Sequence, residues 1–105
     1  MIYLASPYSH PDPEVREARY LKAVAETVRL ASLRHVVYSP IVHWHEVAKR
    51  HTLPYEASFW EHQNRSMLEL STTLYILTLD GWEESVGVTQ ELAWAKELSI
   101  PIIHS

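Results

Sequence analysis

Glu91 is the acidic side chain best placed to act on a bound molecule. It lies in the run Ser85-Val86-Gly87-Val88-Thr89-Gln90-Glu91-Leu92-Ala93-Trp94-Ala95. On a helical wheel Val88, Leu92 and Ala95 make an apolar stripe. Glu91, three residues after Val88 and four before Ala95, lies on or beside it. A carboxylate there is costly unless something uses it or satisfies it. No Lys or Arg stands three or four residues away, so no ion pair along the helix accounts for it. Its chemistry would be that of a carboxylate acting on a ligand.

Other polar residues fall near it in the pattern. Ser85 is a natural N-cap for the Glu91 helix, and a hydroxyl beside helix N-terminal N–H groups makes an anion site. Gly87 sits in the first turn, where glycine is costly. It is open between a plain turn glycine and close approach of a ligand. Gly81, the other glycine, follows an apolar run and reads as a turn residue. Neither glycine belongs to a dinucleotide fingerprint or a P-loop. Asn64 stands four after Trp60 and four before Leu68, so the three share a helix face. Tyr8, after Ser6-Pro7, follows the first apolar run, and Trp82 stands where a base could stack on it. His43, His45 and Glu46 are close in sequence. His45-Glu46 with His51 misses the zinc-protease spacing, and no metal site or cofactor is expected.

The elements that must position these residues are read from period and punctuation. Residues 1–5 predict a strand, followed by the loop Ser6-Pro7-Tyr8-Ser9-His10-Pro11. Asp12-Pro13 is an N-cap with Pro at the first helical position. The helix it opens runs to about Leu33, with Ala18, Leu21, Val24, Ala25, Val28 and Ala31 as its apolar face. Val36-Val37-Tyr38 predicts a second strand ended by Ser39-Pro40, and a short helix is expected around 46–50. Pro54 opens a helix to about Leu70. The run 74–79 predicts a third strand, the Glu91 helix follows, and 100–103 predicts a fourth. This order argues a single α/β domain over 1–105: a three-layer, flavodoxin-like parallel sheet of four to five strands. Ligands of such sheets bind beyond the carboxyl ends of the strands. Ser6 to Tyr8, the loop around His43, and Asp80 to Gly87 converge there.

With 105 residues and a formal charge of −4, the chain has no basic face for a nucleic-acid polymer. It has no cysteine, which excludes thiol and disulfide chemistry. No apolar run suits a bilayer, and no signal-peptide pattern opens the chain, so a cytoplasmic location is the default expectation.

Tyr3-Leu4-Ala5-Ser6-Pro7-Tyr8, Leu79-Asp80-Gly81-Trp82 and Ser85-x-Gly87-x-x-x-Glu91 together resemble the signatures of the nucleoside 2-deoxyribosyltransferase-like superfamily. The resemblance covers most of the chain in order. It implies that Glu91 attacks the anomeric carbon of a 2′-deoxynucleoside or its 5′-monophosphate. The base leaves, and water or a second base resolves the glycosyl ester. Serine at position 85 resembles the nucleotide N-glycosidase branch and implies a phosphate contact with Ser85 and Gly87. Tyr8 would meet sugar or base, with Ser6, Pro7, His43, Asp80 and Gly81 around the substrate. Asn64 stands where the superfamily carries an Asp that supports protonation of the leaving base. An amide cannot do that, so either another group does, with His43 or His62 as candidates, or the protein binds without turnover. Asp80 is a second carboxylate that could partner Glu91 or cap the turn. The superfamily also implies a homo-oligomer, with Trp60 or Trp94 at the interface. The alternatives are a non-catalytic nucleotide-sensing module using the same pocket, and a structural or partner-binding protein.

Overall fold

The computed structural model describes residues 1–105. Four strands and four helices follow in the order β1 (Ile2–Ala5), α1 (Pro13–Ser32), β2 (Val37–Tyr38), α2 (Pro40–Arg50), α3 (Ala57–Glu69), β3 (Thr73–Ile76), α4 (Val86–Glu97) and β4 (Ile102–His104). The sheet is wholly parallel, in the order β2-β1-β3-β4. This is the flavodoxin-like, Rossmann-like arrangement, whose order reverses between β1 and β3. Tyr3, Leu4 and Ala5 of the central strand are buried, because helices cover both faces. Leu68, Leu74, Ile76, Val88, Trp94 and Ala95 complete the main core with Tyr3 and Ala5.

Local chemistry explains most of the boundaries. The Asp12 side chain accepts from the Glu14 N–H, with Pro13 opening α1. Ser39 caps α2 by accepting from the Val42 N–H, with Pro40 at its first turn. Thus Ser39-Pro40 does more than end a strand: it starts a helix twice as long as the segment 46–50 expected from the sequence. Strand β3 is shorter than the run 74–79. The Leu77 N–H still reaches the Ala5 carbonyl, but β1 ends there and leaves the following residues no neighbour on that side. At the chain end, Ser99 takes a positive φ of 57°, and the Ile100 N–H turns back to the Ala95 carbonyl. The fourth strand therefore starts only at Ile102.

Helix α1 faces the sheet with a different stripe from the one its apolar residues suggested. Ala23 and Leu30 are buried, whereas Leu21 and Val28 are 57% and 59% exposed, and Ala18, Ala25 and Ala31 are exposed with them. The inward stripe is semi-polar, and each polar member has a partner. Tyr20 stacks on His45 at 4.1 Å. Glu26 accepts a 2.6 Å hydrogen bond from the Tyr75 hydroxyl. Thr27 donates to the Ala23 carbonyl. A count of apolar residues alone misses such a face.

Candidate functional site

A cleft opens at the carboxyl edge of the sheet, where β1 and β3 diverge in their connections. Its empty space is about 640 Å³, open solvent at its mouth included. Four segments build it. The loop after β1 brings Ser6, Tyr8 and Ser9; α2 and α3 bring two side-chain stripes; the start of α4 brings Ser85, Gly87 and Glu91. From α2 come Ile41, Trp44, His45 and Ala48, and from α3 Ala57, Trp60 and Asn64, both at the spacing of one helix face.

Glu91 is 6% exposed and has no Lys or Arg partner. Burial disfavours its charged form and pushes its pKa up to about 8; the nearby Tyr3 hydroxyl opposes this. That hydroxyl is itself buried and makes no well-formed hydrogen bond. Burial and then the Glu91 charge hold its pKa well above the usual phenol value. Three more polar atoms of cleft residues are buried without a protein partner: Ser6 Oγ, Trp44 Nε1 and Asn64 Oδ1. Buried polar groups are ordinarily paired. These atoms leave hydrogen-bonding capacity in the cleft wall that no protein group meets.

Ser85 caps α4, its hydroxyl accepting from the Val88 N–H at 3.2 Å, and the Thr89 N–H goes to the Ser85 carbonyl. The N–H groups of Val86 and Gly87 go to no protein acceptor, as is usual for the start of a helix. A Cβ on Gly87 would stand 3.9 Å from both Ala57 Cβ and Ser85 Oγ, an ordinary contact. Protein packing therefore gives no reason for glycine there, while the residue lines the cleft.

Ser6, Tyr8, Asn64, Ser85, Gly87 and Glu91 are brought together as the sequence suggested. Four other candidates are not. Pro7 is buried behind the wall. His43 is exposed, on the side of α2 away from the cleft, because the helix is in phase with His45 instead. Asp80 is exposed outside the cleft. Gly81 makes a turn at φ 89°, where a Cβ would come within 2.8 Å of Arg19 Nη2. His62 is exposed on α3. Trp82 packs against the core and His104, away from the cleft. Trp94 is buried within the core, and Trp60 lines the cleft beside Trp44, its Nε1 donating to the Pro54 carbonyl.

His45 is the residue that sequence reasoning passed over. It is 5% exposed, and both ring nitrogens are engaged: Nδ1 lies 2.7 Å from the Tyr8 hydroxyl and Nε2 lies 3.0 Å from Glu17. The spacing Ile41, Trp44, His45, Ala48 was the available signal, once Ser39-Pro40 is taken as a helix start. Glu17, His45 and Glu46 are also close enough to share a cation. The Glu17 carboxylate is already engaged by His45 and Lys49, which hold its pKa below the usual range.

Fold and cleft together define a parallel α/β protein with a carboxylate-bearing cleft at its topological switch point. The chain belongs to the family described as a domain of unknown function, DUF1937, whose profile matches residues 1–104. No curated protein matches it in sequence.

Proposed function

We propose that the protein cleaves or transfers the N-glycosidic bond of a 2′-deoxynucleoside 5′-monophosphate, with Glu91 as nucleophile. The observation that supports this most is the buried, cation-free Glu91 carboxylate in a cleft shared with Ser6, Asn64, Ser85 and Gly87. The similarity of the Ser85-x-Gly87-x-x-x-Glu91 pattern to the nucleoside 2-deoxyribosyltransferase-like superfamily supplies the chemistry. Glu91 attacks the anomeric carbon, the base departs with a proton, and water or an acceptor base breaks the ester. The Val86 and Gly87 N–H groups and the helix dipole favour a phosphate at the start of α4. The Asn64 amide hydrogen-bonds the sugar, and the Tyr8 ring meets sugar or base.

The test is to incubate the protein with each 2′-deoxynucleoside and its monophosphate, with and without acceptor bases. Free or exchanged base is followed by chromatography, beside Glu91→Ala. Release that the variant loses supports the reading; no release from any substrate removes it. A second reading, a nucleotide-binding module without turnover, draws support from Asn64 and from burial that keeps Glu91 largely protonated at neutral pH. Saturable binding without base release would favour it. The exposed Leu21 and Val28 on α1 support a homo-oligomer in either case.

A further inference from the structure

We infer that Tyr8 protonates the leaving base, and that His45 and Glu17 position and recharge it as a proton relay. This rests on the glycosidic reading above and supplies the proton donor that Asn64 cannot be. Apart from Glu91, the cleft is lined by only two titratable side chains, Tyr8 and His45. Serine hydroxyls and the asparagine amide are too weakly acidic to serve.

The geometry separates the roles of the two. His45 has no free ring nitrogen for a ligand, since Nδ1 is held by the Tyr8 hydroxyl and Nε2 by Glu17 Oε1. Its ring is fixed by stacking on Tyr20 at 4.1 Å and by the edge of Tyr8 at 5.6 Å. Tyr8 is thus the member that touches substrate. The pair also stands between two cavities: Tyr8 and His45 line both the cleft and a second groove that holds Glu17, Lys49 and Arg16. Glu17 is 38% exposed in its side chain, while that of His45 is 4% exposed. The chain Tyr8, His45, Glu17 therefore runs from the cleft, through a buried imidazole, to a carboxylate in contact with solvent on the other side.

In the donating state the imidazole carries both protons. Its Nε2–H donates to the Glu17 carboxylate and its Nδ1–H to the Tyr8 oxygen, which leaves the phenol O–H free to point at the substrate. As the C1′–N bond breaks, its electron pair passes to the base, which takes the Tyr8 proton. The Tyr8 oxygen takes the proton from His45 Nδ1, which leaves a neutral imidazole with its remaining proton on Nε2 towards Glu17. The water or acceptor base that then resolves the glycosyl ester gives up one proton, which returns through the Tyr8 oxygen to Nδ1. The groups facing this relay are Glu17 and Tyr20 from α1, Glu46 and Lys49 from α2, and Arg16, whose charge lies near Tyr8.

The experiment compares two substrates: a 2′-deoxynucleoside 5′-monophosphate, whose base needs a proton to leave, and the nitrophenyl 2-deoxyriboside 5-phosphate, whose phenolate does not. Tyr8→Phe is expected to lower kcat/KM for the nucleotide by about 100-fold or more, the usual worth of a general acid, and for the nitrophenyl compound by less than about 3-fold on the same grounds. His45→Gln and Glu17→Gln are expected to act in the same sense, lowering the rate on the nucleotide more than on the nitrophenyl compound. Glu17, at the exposed end, carries this test should His45→Gln fail to fold. Equal losses on both substrates, or an unchanged nucleotide rate in Tyr8→Phe, overturn the relay while leaving Glu91 in place. Substrate discrimination by Tyr8→Phe in a protein whose Glu91→Ala form keeps full activity supports the relay and removes the nucleophile instead. A wild type inert towards both substrates overturns both.

Discussion

Glu91→Gln should make the protein more stable at neutral pH, and the gain should grow with pH in a defined window. The folded protein holds the Glu91 proton up to about pH 8, whereas a free glutamate releases it near 4.5. Between those values the native state binds one more proton than the unfolded state. Stability then falls as pH rises, by about 1.4 kcal/mol per unit. Across the whole window this single group costs about 5 kcal/mol, and above it the cost stays constant. Gln keeps the shape and neutrality of the protonated acid and has no such dependence. Its stability advantage should therefore widen by about 3 kcal/mol from pH 5 to pH 7. Glu17, Glu26 and Glu97 have depressed pKa values and act in the opposite sense. Their stabilisation is present above the usual carboxylate range and is lost as pH falls below it, outside this window. The histidines are common to both proteins and cancel in the difference. Urea unfolding followed by tryptophan fluorescence at pH 5, 6, 7 and 8 reads the effect directly. Wild-type and variant curves that stay parallel with pH would refute the argument, and with it the claim that Glu91 is held protonated by burial.

Further outcomes follow from the same structure. If the ionised form of Glu91 is the nucleophile, kcat/KM for the nitrophenyl compound, which needs no proton from Tyr8, should rise about tenfold per pH unit below about pH 8; a profile flat from pH 6 to 8 would contradict this. Gly87→Ala should fold normally and gain up to about 1 kcal/mol in stability from better helix propensity. Its added methyl faces the cleft, so it should weaken binding of the monophosphate more than of the nucleoside, measured by calorimetry. Ser85→Ala should lose about 1 kcal/mol through the missing cap, read as a lower urea midpoint. Leu21→Glu with Val28→Glu should leave the unfolding free energy per chain nearly unchanged but reduce the mass seen by light scattering; an unchanged mass would show that the α1 stripe holds no partner copy.

The parallel fold was legible because its signals are local and agree. Short apolar runs alternate with helices opened by Asp12-Pro13 and Ser85, and each cap forms as its residue type requires. Glu91 was legible for the opposite reason, as the one residue that breaks the apolar stripe of its helix. What could not be read depended on neighbours far along the chain. Ser39-Pro40 carries the same helix-start chemistry as Asp12-Pro13, yet follows so short a strand that it passes for a simple terminator. With that start misplaced, the phase of α2 was lost, and His43 was preferred over His45. The inward face of α1 was hidden because Tyr20 and Glu26 are held partly buried by specific partners, His45 and Tyr75, and not by their own hydrophobicity. Asp80 and Gly81 follow the third strand as expected. The chain then turns at Gly81, so that both lie outside the cleft and only residues from Ser85 onward reach it.

The central claim is that Glu91 becomes covalently bonded to a sugar. Intact-protein and peptide mass spectrometry after incubation with a 2′-fluoro-arabino analogue of the deoxynucleotides tests it most directly, because the fluorine slows breakdown of a glycosyl ester more than it prevents its formation. The account predicts a stoichiometric adduct of one 2-deoxy-2-fluoroarabinosyl 5-phosphate unit on the peptide bearing Glu91, absent in Glu91→Gln. Binding of the analogue without any adduct, or an adduct on another side chain, would contradict it.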